Sequence, residues 1–144
     1  MQTTYRENLS LSVPSMDQEH GELIAQESEF SAAVEAEASR AELAMLLTRL
    51  IGAFQDHFES EEELMRSNGF LGWEPHLEEH RKLLGQLSGL RDDLDSGSVN
   101  RCFALAHFVR LWSEQHMKGS DSTLAHFLHN GQAGRGTALV SIEQ

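Results

Sequence analysis

Basic residues, cysteine and proline are all scarce in this sequence. The 11 Lys and Arg residues against 23 Asp and Glu give a net charge of −12, which disfavours nucleic acid and anionic membranes as partners because phosphate groups are bound by clustered cations. The single cysteine, Cys102, cannot close a disulfide within the chain, and this is typical of a reducing compartment. The N-terminal residues lack a basic region followed by an apolar run, and no run approaches membrane-spanning length. We therefore expect a cytoplasmic protein without nucleic-acid or membrane partners, and the sequence identifies no protein partner.

The scarcity of proline leaves long stretches free to form helices, since only Pro14 and Pro75 interrupt the chain. Hydrophobic residues make up 40% of the sequence, as in ordinary globular proteins. No stretch alternates as a strand would, whereas apolar residues recur every three or four positions in four long segments. The pattern predicts an all-α protein, an up-down-up-down four-helix bundle with a short C-terminal helix and an irregular tail.

Start and stop signals bound these four helices. Two capping boxes, at residues 15–18 and 39–42, predict helix starts near residues 16 and 40. Asn68-Gly69 predicts the end of the second helix. Pro75 favours a start of the third helix at Glu74-Pro75, and Ser98 is predicted to cap the fourth.

The C-terminal region carries fewer helical signals. We predict a fifth helix over residues 122–129, ended by Asn130-Gly131. The predicted bundle domain is therefore 1–131, and residues 132–144 form the predicted irregular tail.

Eight histidines are present, and five of them fall in the apolar stripes of the predicted helices. Residues three, four or seven positions apart share a helix face, so these imidazoles point inward, as does Glu61, four residues after a histidine. A lone inward histidine is more often a hydrogen-bonded core residue than a ligand. Inward histidines on four consecutive helices favour a metal centre, because unpartnered buried polar groups are costly. The five histidines are His20, His57, His76, His80 and His116.

Asp121 follows His116 by five residues, which is about 140° around an ideal helix. Both side chains reach one centre only if the helix ends, loosens or takes a π-type turn between them, and Gly119 lies where such a break is needed. The alternative is that Asp121 only caps the short fifth helix.

Five imidazoles and two carboxylates are more than one ion takes and suit a pair of ions. Nitrogen together with hard carboxylate oxygen suits iron, whereas zinc takes four ligands, often including sulfur, and calcium takes oxygen alone. If both carboxylates and an oxygen from water bridge two octahedral ions, the imidazoles fill every remaining position but one. Such a site can bind one small molecule end-on.

These motifs resemble those of the hemerythrins, specifically single-domain bacteriohemerythrins. The similarity covers roughly residues 12–129 and includes HxxxE at 57–61, HxxxH at 76–80 and HxxxxD at 116–121. The resemblance implies two non-haem irons bridged by oxo or hydroxo that bind dioxygen reversibly, for storage, delivery or sensing. It places His76, His80 and His116 on a coordinatively full iron. It places His20 and His57 on an iron that keeps a vacancy, with Glu61 and Asp121 bridging.

Other functions stay open at this point. The same centre in an enzyme would reduce peroxide or nitric oxide, but Glu27 is the one candidate general acid, so oxygen binding ranks first. A ferritin-like carboxylate protein is disfavoured because no histidine has a glutamate three residues before it. A metal-free interaction module would leave seven inward polar groups unexplained.

Several neighbouring residues have two interpretations. Glu27, seven residues after His20, either extends to water at the end of the bundle or provides a proton path to the site. Met117 either fills the core or alters access to the gas pocket. Trp73 and Trp112 are expected in the core, and the acidic residues Glu59, Glu62 and Glu63 are expected on a solvated face.

Overall fold

A computed structural model of the chain describes residues 13–137, with side chains described for residues 13–130. Every regular element in this range is helical, which confirms the all-α prediction. The elements, in chain order, are α1 (Pro14–Glu35), α2 (Arg40–Asn68), α3 (Trp73–Asp95), α4 (Cys102–His116), a π-helical turn (Met117–Asp121) and α5 (Ser122–Thr137).

The first four helices pack side by side in a closed ring. Helix α1 contacts α2, α2 contacts α3, α3 contacts α4, and α4 returns to α1. Links of a few residues, at 36–39, 69–72 and 96–101, join consecutive helices, so neighbours run antiparallel. Helix α5 packs on the π-helical turn and on α2.

Two apolar clusters of unequal size fill the interior of the ring. The large cluster takes residues from α1 to α4, and the small one consists of Met16, Met65, Leu124 and Leu128. Along α1, His20 lies between Met16 of the small cluster and Leu23 of the large one. A buried polar layer therefore separates the two clusters.

Helix α2 has both of the predicted end signals. The Ser39 side chain accepts a hydrogen bond from the Glu42 backbone N–H at 3.1 Å. At the other end Gly69 adopts the left-handed conformation, with φ of 68°, which glycine adopts without the steric cost that a Cβ brings.

Two other predicted caps are wrong. Helix α1 begins at Pro14, before the predicted capping box at 15–18, and no side chain caps it; a proline in the first turn already has the helical φ. Ser98 accepts a hydrogen bond from the Asn100 backbone N–H in the preceding link, and α4 begins only at Cys102.

The fifth helix does not end at Asn130-Gly131 as predicted. Helix α5 continues to Thr137, because a glycine lowers helix propensity by only about 1 kcal/mol relative to alanine. Residues 132–137 of the predicted irregular tail are therefore helical, and 138–144 lie outside the described residues.

Helical spacing also misplaced some aromatic residues. Trp73, expected in the core, is 48% exposed and lies with Leu77 beside a surface groove against α2. On α4, Phe103 and Phe108 are also exposed, whereas Val109 is buried in the bundle. Across residues 13–137, no helix has the length and apolarity needed to cross a bilayer.

Candidate metal centre

The structure brings all seven predicted site residues together in the buried polar layer. None has more than 5% of its surface exposed. Each of the four helices and the π-helical turn contributes at least one of them, namely His20 from α1, His57 and Glu61 from α2, His76 and His80 from α3, His116 from α4 and Asp121 from the turn. Seven polar side chains from distant parts of the sequence thus share one small volume.

The local spacing on each element explains this convergence. His57 and Glu61 on α2, like the two histidines on α3, are four residues apart and share a face. The turn Met117–Asp121 is π-helical, and its wider winding brings Asp121 Oδ1 to 3.1 Å from His116 Nε2. Of the three alternatives considered for the helix between these residues, the structure has the π-type turn. The interpretation of Asp121 as only a helix cap is therefore wrong.

The carboxylate of Glu61 divides its two oxygens between two sets of histidines. Its Oε1 lies 3.2 Å from His76 Nε2 and 3.0 Å from His80 Nε2. Its Oε2 lies 3.0 Å from His57 Nε2, and His20 Nε2 is 3.8 Å away. One glutamate therefore faces both sets at once.

Asp121 divides its oxygens in the same way. Its Oδ1 lies 3.1 Å from the Nε2 atoms of both His76 and His116. Its Oδ2 lies 2.8 Å from His20 Nε2 and 4.0 Å from His57 Nε2. We call His76, His80 and His116 the three-histidine side, and His20 and His57 the two-histidine side.

Each side offers a set of donor atoms that could hold a metal ion. Within each set the donor atoms lie within 4.8 Å of one another, the first set being Glu61 with the three-histidine side and the second being Glu61 and Asp121 with the two-histidine side. Glu61 belongs to both sets. Two ions rather than one match this arrangement.

The buried atoms at the centre that have no hydrogen-bond partner indicate whether a metal ion fits there. Five buried atoms there have no hydrogen-bond partner among the described residues, namely His20 Nε2, His57 Nε2, Glu61 Oε2 and both oxygens of Asp121. The distances between these atoms are those of ion pairs, but the geometry is not that of hydrogen bonds. Their lone pairs therefore point into the space that the side chains share. Imidazole nitrogen and carboxylate oxygen aimed at shared points are a donor set that fits transition-metal ions, iron among them.

The charges in the layer depend strongly on one another. Burial opposes protonation of His57, but the nearby carboxylates of Asp121 and Glu61 outweigh this effect and raise its pKa to about 11. At His76 and His116 the same two carboxylates also outweigh burial, and they raise the pKa values to about 9 and about 10. Burial works against ionisation of Glu61, yet the surrounding imidazoles hold its pKa well below its usual range. Without a metal, the two carboxylates are therefore neutralised by protons on the histidines.

Three further glutamates hold the outer nitrogens of the histidines, and the sequence analysis missed them. The His57 Nδ1–H donates to Glu19 at 2.7 Å, and the His80 Nδ1–H donates to Glu62 at 3.0 Å. The solvated-face interpretation is therefore wrong for Glu62. Such carboxylate–imidazole pairs fix the ring orientation and raise the basicity of the inner nitrogen.

The third pair extends into a short network. The His116 Nδ1–H donates to Glu79 at 2.6 Å, and the Ser120 hydroxyl donates to the same carboxylate. The available sequence signal was position, since Glu19 and Glu79 each precede a site histidine directly. Each of them, however, serves a histidine on another helix.

Aromatic rings cover the three-histidine side. Phe58 stacks on His80 with ring centroids 3.7 Å apart and planes within 5°. Trp112 stacks on His116 at 4.5 Å and 12°, and it packs against the large cluster, as expected of a core aromatic. These rings restrict solvent on that side.

Glu27 and Met117 have resolved positions near the site. Glu27 is buried and accepts a hydrogen bond from the Ser113 hydroxyl, so the interpretation that it extends to water is wrong. Met117 is buried in the large cluster, where it fills the core.

The chain is similar to one protein family and to several known proteins. A family model described as the hemerythrin HHE cation binding domain matches residues 11–128. The chain is 35% identical over 75 residues to a myohemerythrin from Sipunculus nudus, a match that covers 52% of the chain and 57% of that protein. It is 31% identical over 86 residues to a bacteriohemerythrin from Methylococcus capsulatus, covering 60% of the chain and 66% of that protein.

A third relative, myohemerythrin-1 from Phascolopsis gouldii, is 31% identical over 75 residues, covering 52% of the chain and 57% of that protein. The chain thus spans less than two thirds of the length of these curated relatives. No solved structure matches the chain significantly.

Proposed function

Because the chain belongs to the hemerythrin family, we propose that it binds dioxygen reversibly at a pair of non-haem irons. The observation that carries this proposal is the orientation of the two buried carboxylates. Glu61 and Asp121 each direct one oxygen to the three-histidine side and the other to the two-histidine side. A carboxylate oriented in this way suits two ions that share it.

The two sides would hold their irons differently. His76, His80 and His116 would hold one iron, and His20 and His57 the other, with Glu61 and Asp121 between them. The two-histidine side supplies one nitrogen fewer, so the open position for dioxygen belongs there. When bound, the iron pair supplies the electrons that dioxygen takes up and returns.

The surrounding side chains hold the centre in place. Phe58 and Trp112 cover the three-histidine side, and the large cluster closes the same end of the layer. Glu19, Glu62 and Glu79 hold the outer nitrogens and thereby keep each Nε2 facing inward.

The biological role that we propose is that of a cytoplasmic oxygen carrier, store or sensor. The relatives named as myohemerythrin and bacteriohemerythrin support this class of protein.

The test is the absorption spectrum and iron content of the anaerobically reduced protein. We expect about two irons per chain, a new visible band on exposure to air, and loss of that band when oxygen is removed. His57→Ala should abolish the band, whereas His107→Ala, which changes an exposed histidine, should leave it unchanged. A wild-type protein with one iron or none, or a band that does not reverse, would contradict the proposal.

A diiron enzyme that reduces peroxide or nitric oxide is the second candidate. The observation that favours it is the buried carboxyl of Glu27, a possible acid inside the bundle. Rapid consumption of peroxide by the reduced protein would support the enzyme, and a stable oxygenated spectrum would support the carrier.

A further inference from the structure

Glu27 and Ser113 form a polar pair inside the large apolar cluster. Glu27 on α1 is 6% exposed and Ser113 on α4 is fully buried. The Ser113 hydroxyl donates to Glu27 Oε2 at 2.5 Å. Leu23, Ile24 and Val109 of the large cluster lie near them along the same two helices. A buried acid in such surroundings is costly, and nothing in the packing of α1 on α4 requires it.

The pair lies directly beyond the polar layer. Glu27 follows His20 by two helical turns, about 10 Å along α1, and Ser113 precedes His116 by about 4.5 Å along α4. The two helices are antiparallel, so both residues are displaced from the layer in the same direction. Helical side chains tilt toward the N-terminus, and Glu27 therefore leans back toward His20 of the two-histidine side.

The surroundings keep Glu27 in its acid form near neutral pH. Burial raises the pKa of Glu27 to about 8, although the Ser113 hydroxyl and the charges of Arg110 and His20 act in the opposite direction. The residues that α2 adds to the large cluster, such as Leu50 and Phe54, do not titrate. A protonated carboxyl bonded to a hydroxyl can both give and receive a proton.

We propose that Glu27, positioned by Ser113, supplies a proton to dioxygen at the two-histidine side and so controls how fast the oxygenated protein oxidises. This inference rests on the proposed function. Oxidation removes two electrons from two ferrous ions, and dioxygen takes these with two protons and leaves as hydrogen peroxide. Glu27 gives one proton and regains it from solvent, while the second comes from water.

The decisive variant is Glu27→Gln, which keeps the size and the hydrogen bond of the side chain but carries no acidic proton. We expect oxidation in air to slow by at least about tenfold, since general acids contribute factors of that size or more. The wild-type rate should fall between about pH 7 and pH 9, and the variant should lose this dependence. Glu27→Asp should restore part of the oxidation rate and part of its pH dependence. Glu29→Gln, which changes an exposed glutamate on the same helix, should behave as wild type.

A spectroscopic readout does not depend on oxygen chemistry. The iron-loaded wild-type protein should show an infrared carboxylic-acid band that titrates near pH 8 and is absent from Glu27→Gln. Ser113→Ala should shift that band, because the hydroxyl no longer donates to the carboxyl, and should slow oxidation less than Glu27→Gln does.

The outcomes separate this inference from the proposed function. If the wild type binds oxygen reversibly while Glu27→Gln, folded as judged by circular dichroism, oxidises at the same rate with the same pH profile, the inference is overturned and the proposed function stands. If the wild type takes up no oxygen, both are overturned, whatever the infrared band shows. A slower, pH-independent Glu27→Gln with no carboxylic-acid band supports both.

Discussion

The three-histidine side and the two-histidine side of the centre differ in how firmly they are held. On the three-histidine side, His80 and His116 each have a carboxylate on the outer nitrogen and an aromatic ring stacked on the face. On the two-histidine side, His57 has its carboxylate, but its contact with the Phe58 ring is tilted rather than stacked. Each side also has one histidine, His76 or His20, whose Nδ1 has no hydrogen-bond partner among the described residues.

The environment of the two sides differs as well. A surface groove of about 420 Å³, lined in part by His57, Glu19 and Leu23, reaches the two-histidine side. The buried acid Glu27 lies on the same helix as His20. The firmly held side therefore suits an ion with a complete shell, and the looser side suits an ion that exchanges a ligand.

Removing the shared carboxylate should abolish both sides together. Glu61→Ala takes away the oxygens that face both sets of histidines, and we expect the purified protein to hold less than about a tenth of its iron. Metal analysis measures this directly. Glu59→Ala, an exposed glutamate on the same helix, is the control, and a Glu61→Ala protein that keeps one iron would show that the sides do not depend on a common bridge.

Removing one histidine should separate the sides. His57→Ala should leave about one iron per chain, held on the three-histidine side, and should abolish the oxygenated spectrum. His80→Ala should lower the iron content more than His57→Ala does, because it weakens the firmer side and removes a neighbour that shares Glu61 with the two-histidine side. Equal iron loss in the two variants would argue against a firmer three-histidine side.

Removing the metal should make stability depend on alkaline pH. In the metal-free protein the pKa values of His76, His116 and His57 are raised to about 9, 10 and 11, chiefly by Asp121 and Glu61 against the opposing effect of burial. A histidine whose pKa is raised in the folded state stabilises the fold. This stabilisation is fully present below the unfolded pKa, near 6.5, and is lost as the pH rises through the folded pKa. Melting temperature should therefore fall between about pH 7 and pH 11.

The loss should be measurable as a steady fall in melting temperature across this range. His76 and His116 should lose their protons before His57 does, which histidine NMR signals can follow. The iron-loaded protein should not show the loss, because iron replaces these protons. A metal-free protein with a melting temperature that stays level across this range would contradict the assignment.

Changing the outer carboxylates should have the smallest effect. Glu62→Gln should weaken iron binding on the three-histidine side, and Glu19→Gln on the two-histidine side, each by about tenfold to a hundredfold. Rates of iron release to a chelator measure this. Glu63→Gln, on the exposed side of α2, should release iron at the wild-type rate, and matching rates in all three variants would rule out the orienting role.

The sequence predicts the inner residues of the site because their signal is local. His57 and Glu61 are placed inward by neighbours three and four residues away, and the same rule places the two histidines of α3. Asp121 required a break in the helix, and Gly119 marked its position before the π-helical turn was seen.

The outer residues could not be predicted in this way, because helical spacing gives the face of a residue and not its neighbour on another helix. Glu62 lies beside the inward Glu61 and was expected in solvent, yet it reaches His80 on α3. One of the two interpretations of Glu27 had it extend to water, whereas Ser113 on α4 accommodates it in the core. Trp73 was expected in the core because it is aromatic, although it is 48% exposed.

In the proposed centre, two unlike irons share both carboxylates and one of them binds dioxygen. A Mössbauer spectrum of the ⁵⁷Fe-loaded protein, recorded before and after exposure to air, distinguishes the two irons. We expect the oxygenated protein to have two distinct iron environments in equal amounts, and removing oxygen should restore the original spectrum. A single iron environment after oxygenation, or the spectrum of an isolated magnetic ferric ion, would contradict it.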